Sequence, residues 1–393
     1  MTRIETQVAI VGAGPAGLML SHLLHLEGIH SVVLEIRSRD YCETRQRAGV
    51  LEQGTVDLLR RTGLGRRLDR EGLTHHGIEI GFNRSRHRIA FDRLTGGKCV
   101  TVYGQHEVVK DLIAQRLSDG GDLRFDCSDV SIHGFEGTHP EVRIQYGSQD
   151  FEIAAEFIAG CDGFHGICRP SVPGGVLECF ERVYPFGWLG ILADAAPSSE
   201  ELVYMHHDRG FALFSMRSPK LTRLYLQSKP DEDLAEWPDD RIWEELLRRF
   251  QCTDGWLPRQ GPILQKGVTG MRSFVVEPMQ YGRLFLAGDA AHIVPPTGAK
   301  GMNLAVADVV VLANALGAFF RDGATEALNG YSAVCLRRVW KAQRFSWWMT
   351  SLLHRHEGYN EFDRRRQLAE LDYLTSSEAA ARSLAENYVG LPM

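Results

Sequence analysis

The sequence predicts an α/β fold in which a Rossmann-like dinucleotide-binding domain is interleaved with an antiparallel-sheet domain and followed by a C-terminal helical region. Three observations predict it. The first 35 residues have a strand–helix–strand pattern, the middle of the chain alternates apolar and polar residues, and the chain after Gly301 has helical spacing. With 393 residues, the chain is long enough for two or more structural units.

The N-terminal unit begins with a β-branched run, Gln7–Val11, that ends in glycines. Residues Pro15–Leu26 then have the apolar spacing of a helix, and Ser31–Glu35 is predicted as a second strand. Because two parallel strands need a crossover connection, this order predicts a β-α-β unit and a doubly wound sheet.

The turn between the first strand and the helix carries the motif Gly12-x-Gly14-x-x-Gly17, and Glu35 ends the next strand. Glycines at these positions let the backbone turn tightly and approach a pyrophosphate, while the helix N-terminus offers unpaired N–H groups. A carboxylate at the position of Glu35 can accept hydrogen bonds from ribose hydroxyls. The motif in this context therefore predicts a dinucleotide site.

The middle of the chain has the alternation of an antiparallel sheet. It appears in Gly77–Phe82 and Arg88–Phe91. It appears again in Phe211–Arg217 and Leu221–Gln227, which flank the turn residues Ser218–Lys220 and are predicted to form a hairpin. These segments predict a second, sheet-based domain.

The last third of the chain is predicted to be helical, with helices over Trp340–Leu353 and Glu361–Leu384. The most apolar stretch, Val309–Phe320, follows Asp308 and is too short to cross a hydrocarbon layer about 30 Å thick. We expect a buried helix there.

The composition argues against several classes of function. The net charge is −6 with both signs interspersed, so we expect neither nucleic acid nor a membrane surface as a partner. The eight cysteines form no C-x-x-C pair and no zinc-type spacing, which predicts reduced thiols, no metal site and a cytoplasmic protein. The first residues run directly into a strand, so we expect no signal peptide.

Two further motifs follow the glycine motif. Ala159–Gly166 contains Asp162-Gly163 with Arg169 after it, and Gly282–His292 is a strand that ends in Gly288-Asp289. Taken singly, Asp-Gly would be a turn and the second aspartate a helix cap. Together and in this order, the three motifs resemble the FAD-dependent aromatic hydroxylases, in which they contact FAD and lie near the nicotinamide nucleotide.

Four other segments narrow the resemblance to members that act on 4-hydroxybenzoate; they are Arg47–Gly54, Phe186–Gly190, Pro295–Gly301 and Trp347–Thr350. The resemblance spans essentially the whole chain. It implies FAD as cofactor, NADPH or NADH and O₂ as co-substrates, and a homodimer. The reaction it implies is 3-hydroxylation of 4-hydroxybenzoate to 3,4-dihydroxybenzoate through a flavin C4a-hydroperoxide.

The same resemblance implies a division of the chain into three parts. Residues 1–178 would form the FAD-binding domain, with a sheet insertion near 76–104. Residues 179–272 would form the substrate-binding sheet domain, and residues 273–393 the second FAD motif and a C-terminal helical interface region.

The resemblance also implies a carboxylate clamp made by Ser215, Arg217 and Tyr225. Ser215 and Arg217 are two apart on a predicted strand, so they face the same side of the sheet. An arginine fork beside a hydroxyl can hold a benzoate carboxylate.

At the phenol end, the resemblance implies a hydrogen-bond chain from Tyr204 and Tyr388 to His75, with the Pro296 carbonyl near the substrate hydroxyl. A phenol has a pKa of about 10, but ring attack is faster on the phenolate, so its proton must be removed inside the pocket. Tyrosine hydroxyls can accept one proton while donating another, and a histidine titrates near neutrality.

Thirteen cofactor contacts are implied, namely Gly12, Gly14, Gly17, Glu35, Arg45, Arg47, Gln105, Asp162, Arg223, Asp289, Gly298, Asn303 and Leu304. The implied nicotinamide contacts are Tyr41, Arg47, His165 and Arg272. Amides at the start of the helix after Gly298 would stabilise the negative charge of reduced flavin. After Glu35, Ile36 and Arg37 stand where familiar members have arginine and glutamine, so the choice between NADPH and NADH stays open.

Alternatives remain at this point. A related hydroxylase would act on another phenolic acid, such as 3-hydroxybenzoate or salicylate. A flavin-dependent halogenase is disfavoured, because Gly187–Leu192 stands where that family has a Trp-x-Trp-x-Ile-Pro signature. A non-catalytic FAD redox sensor would need neither Arg217 nor the two tyrosines, and would show no ligand-stimulated NAD(P)H oxidation.

Overall fold

The computed structural model describes residues 2–46 and 49–392. The strands in these residues are β1 (Thr2–Glu5), β2 (Val8–Val11), β3 (Ser31–Leu34), β4 (Val50–Leu51), β5 (Leu73–His75), β6 (Gly77–Phe82), β7 (Ser85–Ala90), β8 (Val100–Val102), β9 (Asp122–Arg124), β10 (Cys127–His133), β11 (Glu141–Tyr146), β12 (Gln149–Ala154), β13 (Phe157–Gly160), β14 (Glu178–Asp194), β15 (Leu202–Met205), β16 (Ala212–Met216), β17 (Leu221–Ser228), β18 (Ile263–Glu277), β19 (Gln280–Tyr281), β20 (Leu284–Leu286) and β21 (His292–Ile293).

The helices in the same residues are α1 (Pro15–Leu26), α2 (Arg39–Thr44), α3 (Gln53–Arg61), α4 (Gly65–Glu71), α5 (Phe91–Thr95), α6 (Gln105–Ser118), α7 (Asp239–Phe250), α8 (Gly301–Asp322), α9 (Glu326–Leu353), α10 (Glu361–Ser376) and α11 (Glu378–Val389). Short 3₁₀ turns cover Arg169–Ser171, Leu234–Glu236, Gly288–Ala290 and Pro296–Gly298. The mixture of helices and sheets confirms the predicted α/β class.

A six-stranded sheet in the order β9-β3-β2-β13-β20-β19 forms the first layer, which contains the predicted dinucleotide motif. Its strands are parallel except β19, which pairs antiparallel with β20. Strands β2 and β3 are joined by α1, so the predicted β-α-β unit is confirmed. Both strands are buried along their whole length, as expected of parallel strands covered on two faces.

An eight-stranded sheet in the order β21-β18-β14-β17-β16-β15-β6-β7 forms the second layer. Its pairs are antiparallel except β15 with β6. The predicted hairpin of β16 and β17 is confirmed as an antiparallel pair. Strands β6 and β7, which overlap the two other alternating segments, also pair antiparallel. Two smaller sheets, β1-β12-β11-β10 and β4-β8-β5, flank the two layers.

The two faces of the eight-stranded sheet are covered by different helices. Tyr204 and Leu213 belong to an apolar cluster with residues of α9 and α11, whereas their neighbours Val203 and Phe214 belong to a cluster with residues of α7. This alternation is the two-residue period of a strand. The C-terminal helices therefore close the face that carries Tyr204.

The C-terminal helices differ from the prediction in their bounds. The helix expected at Trp340–Leu353 begins much earlier, at Glu326. The single helix expected over Glu361–Leu384 is wrong, because the chain breaks at Ser377 into α10 and α11. The Ser377 side chain accepts the Ala380 N–H and caps α11, a local bond that interrupts the helix without interrupting its apolar spacing.

By length and composition alone, helix α8 is long and apolar enough to cross a membrane. However, 67% of the residues in its most apolar stretch are buried within the fold. The expectation that this helix is too short was wrong, since it begins at Gly301. Its burial against α1 and α9 identifies it as the predicted core helix.

The predicted division of the chain stays a proposal. Strand β18 runs without interruption through the proposed boundary at residue 272. Strands β6 and β7, within the proposed insertion, belong to the same sheet as the strands between residues 179 and 272.

Candidate active site

The loop between β2 and α1 allows a close approach to its backbone. Gly12 has a φ of +107° and lies against the backbone of Cys161, and Gly17 lies against the Gly12 carbonyl, so a side chain at either position would collide. Gly14 differs, because a Cβ there would meet no atom within 4 Å. Gly14 is the N-cap of α1, and no described side chain caps this end. The first N–H groups of α1 are thus available to an anion.

Glu35 lies just after β3, beside this loop. Its Oε2 accepts the Ala13 N–H at 2.8 Å, and its Oε1 accepts the Arg37 N–H at 2.9 Å. The carboxylate is therefore held at the edge of the glycine loop, where its remaining lone pairs can accept from a ribose.

Asp162 follows β13, which pairs with β2. Its Oδ2 accepts the Cys168 N–H at 2.8 Å, whereas the buried Oδ1 has no hydrogen bond to a described residue. Burial raises the pKa of Asp162, and the bond from Cys168 opposes the rise. A buried acceptor of this kind is suited to a polar ligand group.

The second aspartate motif is a tight turn held by a buried contact between Asp308 and His292. Gly288 has a φ of +62°, and its N–H donates to Asp308 Oδ2 at 3.0 Å. The same oxygen lies 2.6 Å from His292 Nε2. Burial acts to lower the pKa of His292, but Asp308 outweighs it, so the pKa is raised. The pair fixes the turn that carries Asp289.

Asn303 lies in the first turn of α8, and both polar atoms of its side chain form hydrogen bonds within the protein. Oδ1 accepts from the Glu52 N–H and the Thr55 hydroxyl, each at 2.9 Å. Nδ2 donates to the carbonyls of Val50 at 3.0 Å and Ala299 at 2.9 Å. A cofactor contact at this position would therefore be made by the Asn303 backbone.

Other predicted cofactor positions lie around the same helix start. Gly298 packs against α9, Leu304 is buried in the first turn of α8, and Gln105 is half-buried at the start of α6. Pro296 is exposed, and its carbonyl accepts the Ala299 N–H at 3.0 Å. Arg47 lies outside the described residues.

Four features of the described residues fit a flavin dinucleotide: the open space at Gly14, the held carboxylate of Glu35, the buried unpaired oxygen of Asp162, and the turn at Asp289. They lie after β2, β3, β13 and β20, at the carboxyl ends of parallel strands of one sheet. This end of a doubly wound sheet is where such folds bind dinucleotides.

The predicted carboxylate clamp lies in the β16–β17 hairpin. Arg217 Nη1 donates to Ser215 Oγ at 2.9 Å, and Arg217 Nη2 donates to the Tyr225 hydroxyl at 3.3 Å. Ser215 is buried and Arg217 half-buried. Burial acts to raise the pKa of Tyr225, but the guanidiniums of Arg217 and Arg223 outweigh it and lower that pKa. The three predicted residues are thus brought together around one cation.

Tyr204 and Tyr388 are also brought together, with their hydroxyl oxygens 2.5 Å apart. The Tyr204 hydroxyl also lies 3.2 Å from the Thr297 carbonyl, which accepts from it. Each tyrosine is 1% exposed. Burial raises the pKa of both hydroxyls above its usual value, so both are neutral.

His75 is buried at the end of β5, and no described hydrogen bond joins it directly to either tyrosine. Its Nε2 lies 2.9 Å from Met216 Sδ. Burial lowers the pKa of His75 to about 4, and the Arg217 charge contributes. His75 is therefore neutral and near the clamp residue.

The predicted nicotinamide contacts fall into two groups. His165 is exposed and packs edge-on against Phe164. The Arg272 guanidinium lies over the Phe164 ring, 4.7 Å from the ring centre. Tyr41 is exposed on α2, with the guanidiniums of Arg37 and Arg45 at 5.5 and 5.3 Å from its ring centre. Arg45 is thus placed with Tyr41.

Reasoning from the sequence missed several residues in contact with the site. Thr297 and Lys300 lie within the segment Pro295–Gly301, whose resemblance indicated this part of the chain but not the partners of the two residues. Met216 has no local signal, because a methionine on a strand is typical of an ordinary core residue. Its contact with His75 is made only across the fold.

Comparison with known proteins identifies the family. Residues 5–346 match the family described as FAD binding domain. The chain is 50% identical over 392 residues to p-hydroxybenzoate hydroxylase of Acinetobacter baylyi, covering 100% of this chain and 97% of that protein. It is 26% identical to aklavinone 12-hydroxylase RdmE of Streptomyces purpurascens, covering 82% of this chain and 64% of that protein.

Solved structures share the fold. The crystal structure of p-nitrophenol 4-monooxygenase PnpA from Pseudomonas putida DLL-E4 aligns with a TM-score of 0.83 at 20% identity, covering 100% of both chains. The flavin-dependent halogenase CmlS aligns with a TM-score of 0.74 at 17% identity, a likeness of fold alone. With its family match and its half-identical relative, the chain belongs to the FAD-binding domain family and, within it, to the FAD-dependent aromatic hydroxylases, which are monooxygenases.

Proposed function

We propose that this protein hydroxylates 4-hydroxybenzoate at its 3-position. One O₂ and one NAD(P)H, with a proton, would give 3,4-dihydroxybenzoate, NAD(P)⁺ and water. The observation that carries the proposal is that one sheet holds both the cationic clamp at Arg217 and Tyr204, whose hydroxyl is paired with that of Tyr388 on α11. The half-identical relative named p-hydroxybenzoate hydroxylase supports the same substrate.

The distance between the carboxylate clamp and Tyr204 suits a para-substituted benzoate. Tyr204 pairs with Leu213, and Leu213 pairs with Tyr225. Tyr204 and Tyr225 therefore lie opposite each other across the sheet, two strands apart. Adjacent strands are about 4.8 Å apart, which separates the two backbones by roughly 10 Å. A benzoate ring with a carboxylate at one end and a hydroxyl at the other would lie along the line between these two tyrosines.

At the carboxylate end, Arg217 would bind the substrate anion, helped by the Ser215 hydroxyl and Tyr225. A guanidinium presents several N–H donors in a fixed plane, so two of them can face the two carboxylate oxygens. The clamp would therefore fix both the position and the orientation of the ring.

At the phenol end, Tyr204 would receive the substrate proton and pass its own to Tyr388. Because the pKa of each tyrosine is raised by burial, neither would hold a negative charge, and the pair would transmit the proton rather than store it. His75, neutral with a pKa of about 4, would accept the proton transiently and release it to solvent.

FAD would be held by the elements described above. The glycine loop at Gly14 and the α1 N-terminus would face the pyrophosphate, Glu35 a ribose, and Asp289 the ribityl chain. The amides at the start of α8 would face the flavin ring. When bound and reduced by the nicotinamide nucleotide, FAD supplies the activated oxygen. The buried walls at Tyr204 and Tyr388 would exclude water from that reaction.

For the nicotinamide nucleotide we propose the surface around Phe164, with His165 and Arg272, for one part of the molecule. The patch of Tyr41 and Arg45 would contact another part. Cationic groups on aromatic rings at both places support this, since they suit phosphates and flat rings.

We also propose that the protein is a homodimer. Large aromatic side chains on the C-terminal helices support this, since Trp347, Phe362 and Tyr373 are 42%, 74% and 58% exposed. Exposed apolar side chains of this kind are typical of subunit contacts. Light scattering on the purified protein should give twice the mass of one chain, and the mass of a single chain would contradict the proposal.

The function is tested by following NAD(P)H consumption with 4-hydroxybenzoate, 3-hydroxybenzoate and salicylate, with separation and identification of the products. We expect stimulation by the para isomer and 3,4-dihydroxybenzoate as its product. Stronger stimulation by another isomer would reassign the substrate. Arg217→Gln should raise KM for the para isomer roughly a hundredfold, since hydrogen bonds to charged groups are lost. Arg365→Gln is the matched control, because the Arg365 side chain is exposed on α10.

A further inference from the structure

The thioether of Met216 fixes which ring nitrogen of His75 carries a proton. Met216 Sδ lies 2.9 Å from His75 Nε2. A thioether sulfur has lone pairs and no hydrogen, so it can only accept. The contact is attractive only if Nε2 carries the hydrogen, because a bare nitrogen lone pair facing the sulfur lone pairs would be repelled. In the neutral ring, Nδ1 is then unprotonated.

The other nitrogen, Nδ1, is a buried acceptor. It has no hydrogen bond to a described residue, and the residue is 1% exposed. An unpaired acceptor in a buried position is unfavourable in the resting protein, and unpaired buried groups in native structures are found at catalytic sites. The geometry therefore presents one specific nitrogen of His75 for proton uptake.

Met216 cannot easily move away from His75. It is 3% exposed and packs in the apolar cluster that contains Phe214 and Val203. Its carbonyl accepts from Arg217 Nη1 at 3.1 Å and from Ser215 Oγ at 3.3 Å. One residue thus touches the carboxylate clamp through its backbone and His75 through its side chain.

The charged and titratable groups that act on His75 are Arg217 and His76. Both add to the effect of burial and disfavour the imidazolium, so the resting ring is neutral. For a neutral ring, the tautomer rather than the charge decides which nitrogen can accept a proton.

We propose that Met216 is a positioning residue for proton transfer, whose thioether holds His75 with Nε2 protonated and leaves Nδ1 as the acceptor. One proton moves and no electron is gained or lost: an O–H bond of the proton donor breaks as an N–H bond forms at Nδ1, the Nε2–H bond is kept, and the Nδ1–H bond then breaks as the proton passes to water. That the proton originates from a bound phenol rests on the proposed function, whereas the tautomer does not.

The test compares Met216→Leu, which keeps the volume and removes the acceptor, with Met216→Gln, which restores an acceptor. Met205→Leu is the matched control, because Met205 is 2% exposed in the same apolar cluster. ¹⁵N NMR of histidine-labelled protein, with the His75 signals assigned from His75→Asn, reports the tautomer. We expect a single Nε2–H tautomer in the wild type and in both the Gln and control variants, and a mixture in Met216→Leu.

A second readout is the rate of proton release on mixing holoenzyme with 4-hydroxybenzoate, followed with an indicator dye. Met216→Leu should be roughly fivefold slower, the effect of one ordinary hydrogen bond, and Met216→Gln should recover. An Nδ1–H tautomer in the wild type, or an unchanged tautomer in Met216→Leu, would overturn the proposal. If the wild type shows the expected tautomer but neither releases a proton nor hydroxylates, the proposed substrate fails and the tautomer assignment holds.

Discussion

The Lys300 ammonium lies 2.8 Å from the Glu52 carboxylate, and both residues are 4% exposed. Lys300 also donates to the carbonyls of Asn387 and Tyr388. Arg338 donates to the other Glu52 oxygen at 2.9 Å. Burial acts to lower the pKa of Lys300, and Glu52 opposes it. This buried pair thus fastens the end of α11, and with it Tyr388, to the start of α8.

Glu52→Ala should lower the free energy of unfolding by about 3–5 kcal/mol, because it leaves the buried Lys300 charge without its partner. Glu361→Ala removes an exposed ion pair with Arg365 and should change stability by no more than about 0.5 kcal/mol. Urea denaturation of both variants checks this. Equal losses of unfolding free energy in the two variants would show that the buried pair stabilises the fold no more than the exposed pair does.

Gly14→Ala should weaken FAD binding by roughly tenfold or more, about 1.4 kcal/mol, without destabilising the apoprotein. The φ of Gly14 is −77°, which alanine adopts readily, and the added methyl enters open space where the pyrophosphate is proposed to lie. Gly12→Ala is the comparison, since its φ of +107° and its contact with Cys161 should destabilise the fold itself. Flavin fluorescence and apoprotein melting separate the two effects. A lower apoprotein melting temperature for Gly14→Ala would contradict this assignment.

Tyr388→Phe should slow hydroxylation about a hundredfold near neutral pH while changing KM little, because it breaks the hydroxyl pair with Tyr204. Its rate should recover as the pH approaches the phenol pKa of about 10, where the substrate ionises without help. Tyr373→Phe, on an exposed position of α10, serves as control. A pH profile parallel to that of the wild type would argue against proton relay through Tyr388.

His354 should make the fold sensitive to acid. It is fully buried, its Nε2 accepts the Trp188 indole N–H at 2.7 Å, and burial lowers its pKa to about 3. Between about pH 6.5 and 3 the unfolded chain binds a proton at His354 that the folded protein does not, so stability falls as the pH falls. This single group contributes up to about 1.4 kcal/mol per pH unit.

His354→Gln keeps an acceptor for Trp188 and removes the titrating ring. Its free energy of unfolding should therefore decline less steeply than that of the wild type between pH 6.5 and 4. Replacement of the exposed His133 by glutamine is the control. Unfolding free energies measured across this pH range should separate the variants, and identical slopes would rule out His354 as a source of acid sensitivity.

Local periodicity explains which parts of the fold were predictable. The β2-α1-β3 unit and the β16–β17 hairpin follow from spacings of 3.6 and 2 residues, which are properties of adjacent sequence. The break between α10 and α11 was not predictable in this way, because apolar spacing continues through Ser377 while one side-chain hydrogen bond interrupts the helix. Similarly, the contact of Ser215 with Arg217 follows from a two-residue separation.

Sequence alone determined the fold class, the dinucleotide motif and the residue types of the site, because each depends on neighbours in the chain or on a resemblance that runs its whole length. Only the tertiary structure decided that Tyr204 meets Tyr388 across 184 residues, that His75 and His354 are neutral, and that Lys300 lies buried on Glu52. The physical reason is that desolvation and hydrogen-bond pairing act through space. A polar side chain acquires its charge state and its partner only when distant segments enclose it.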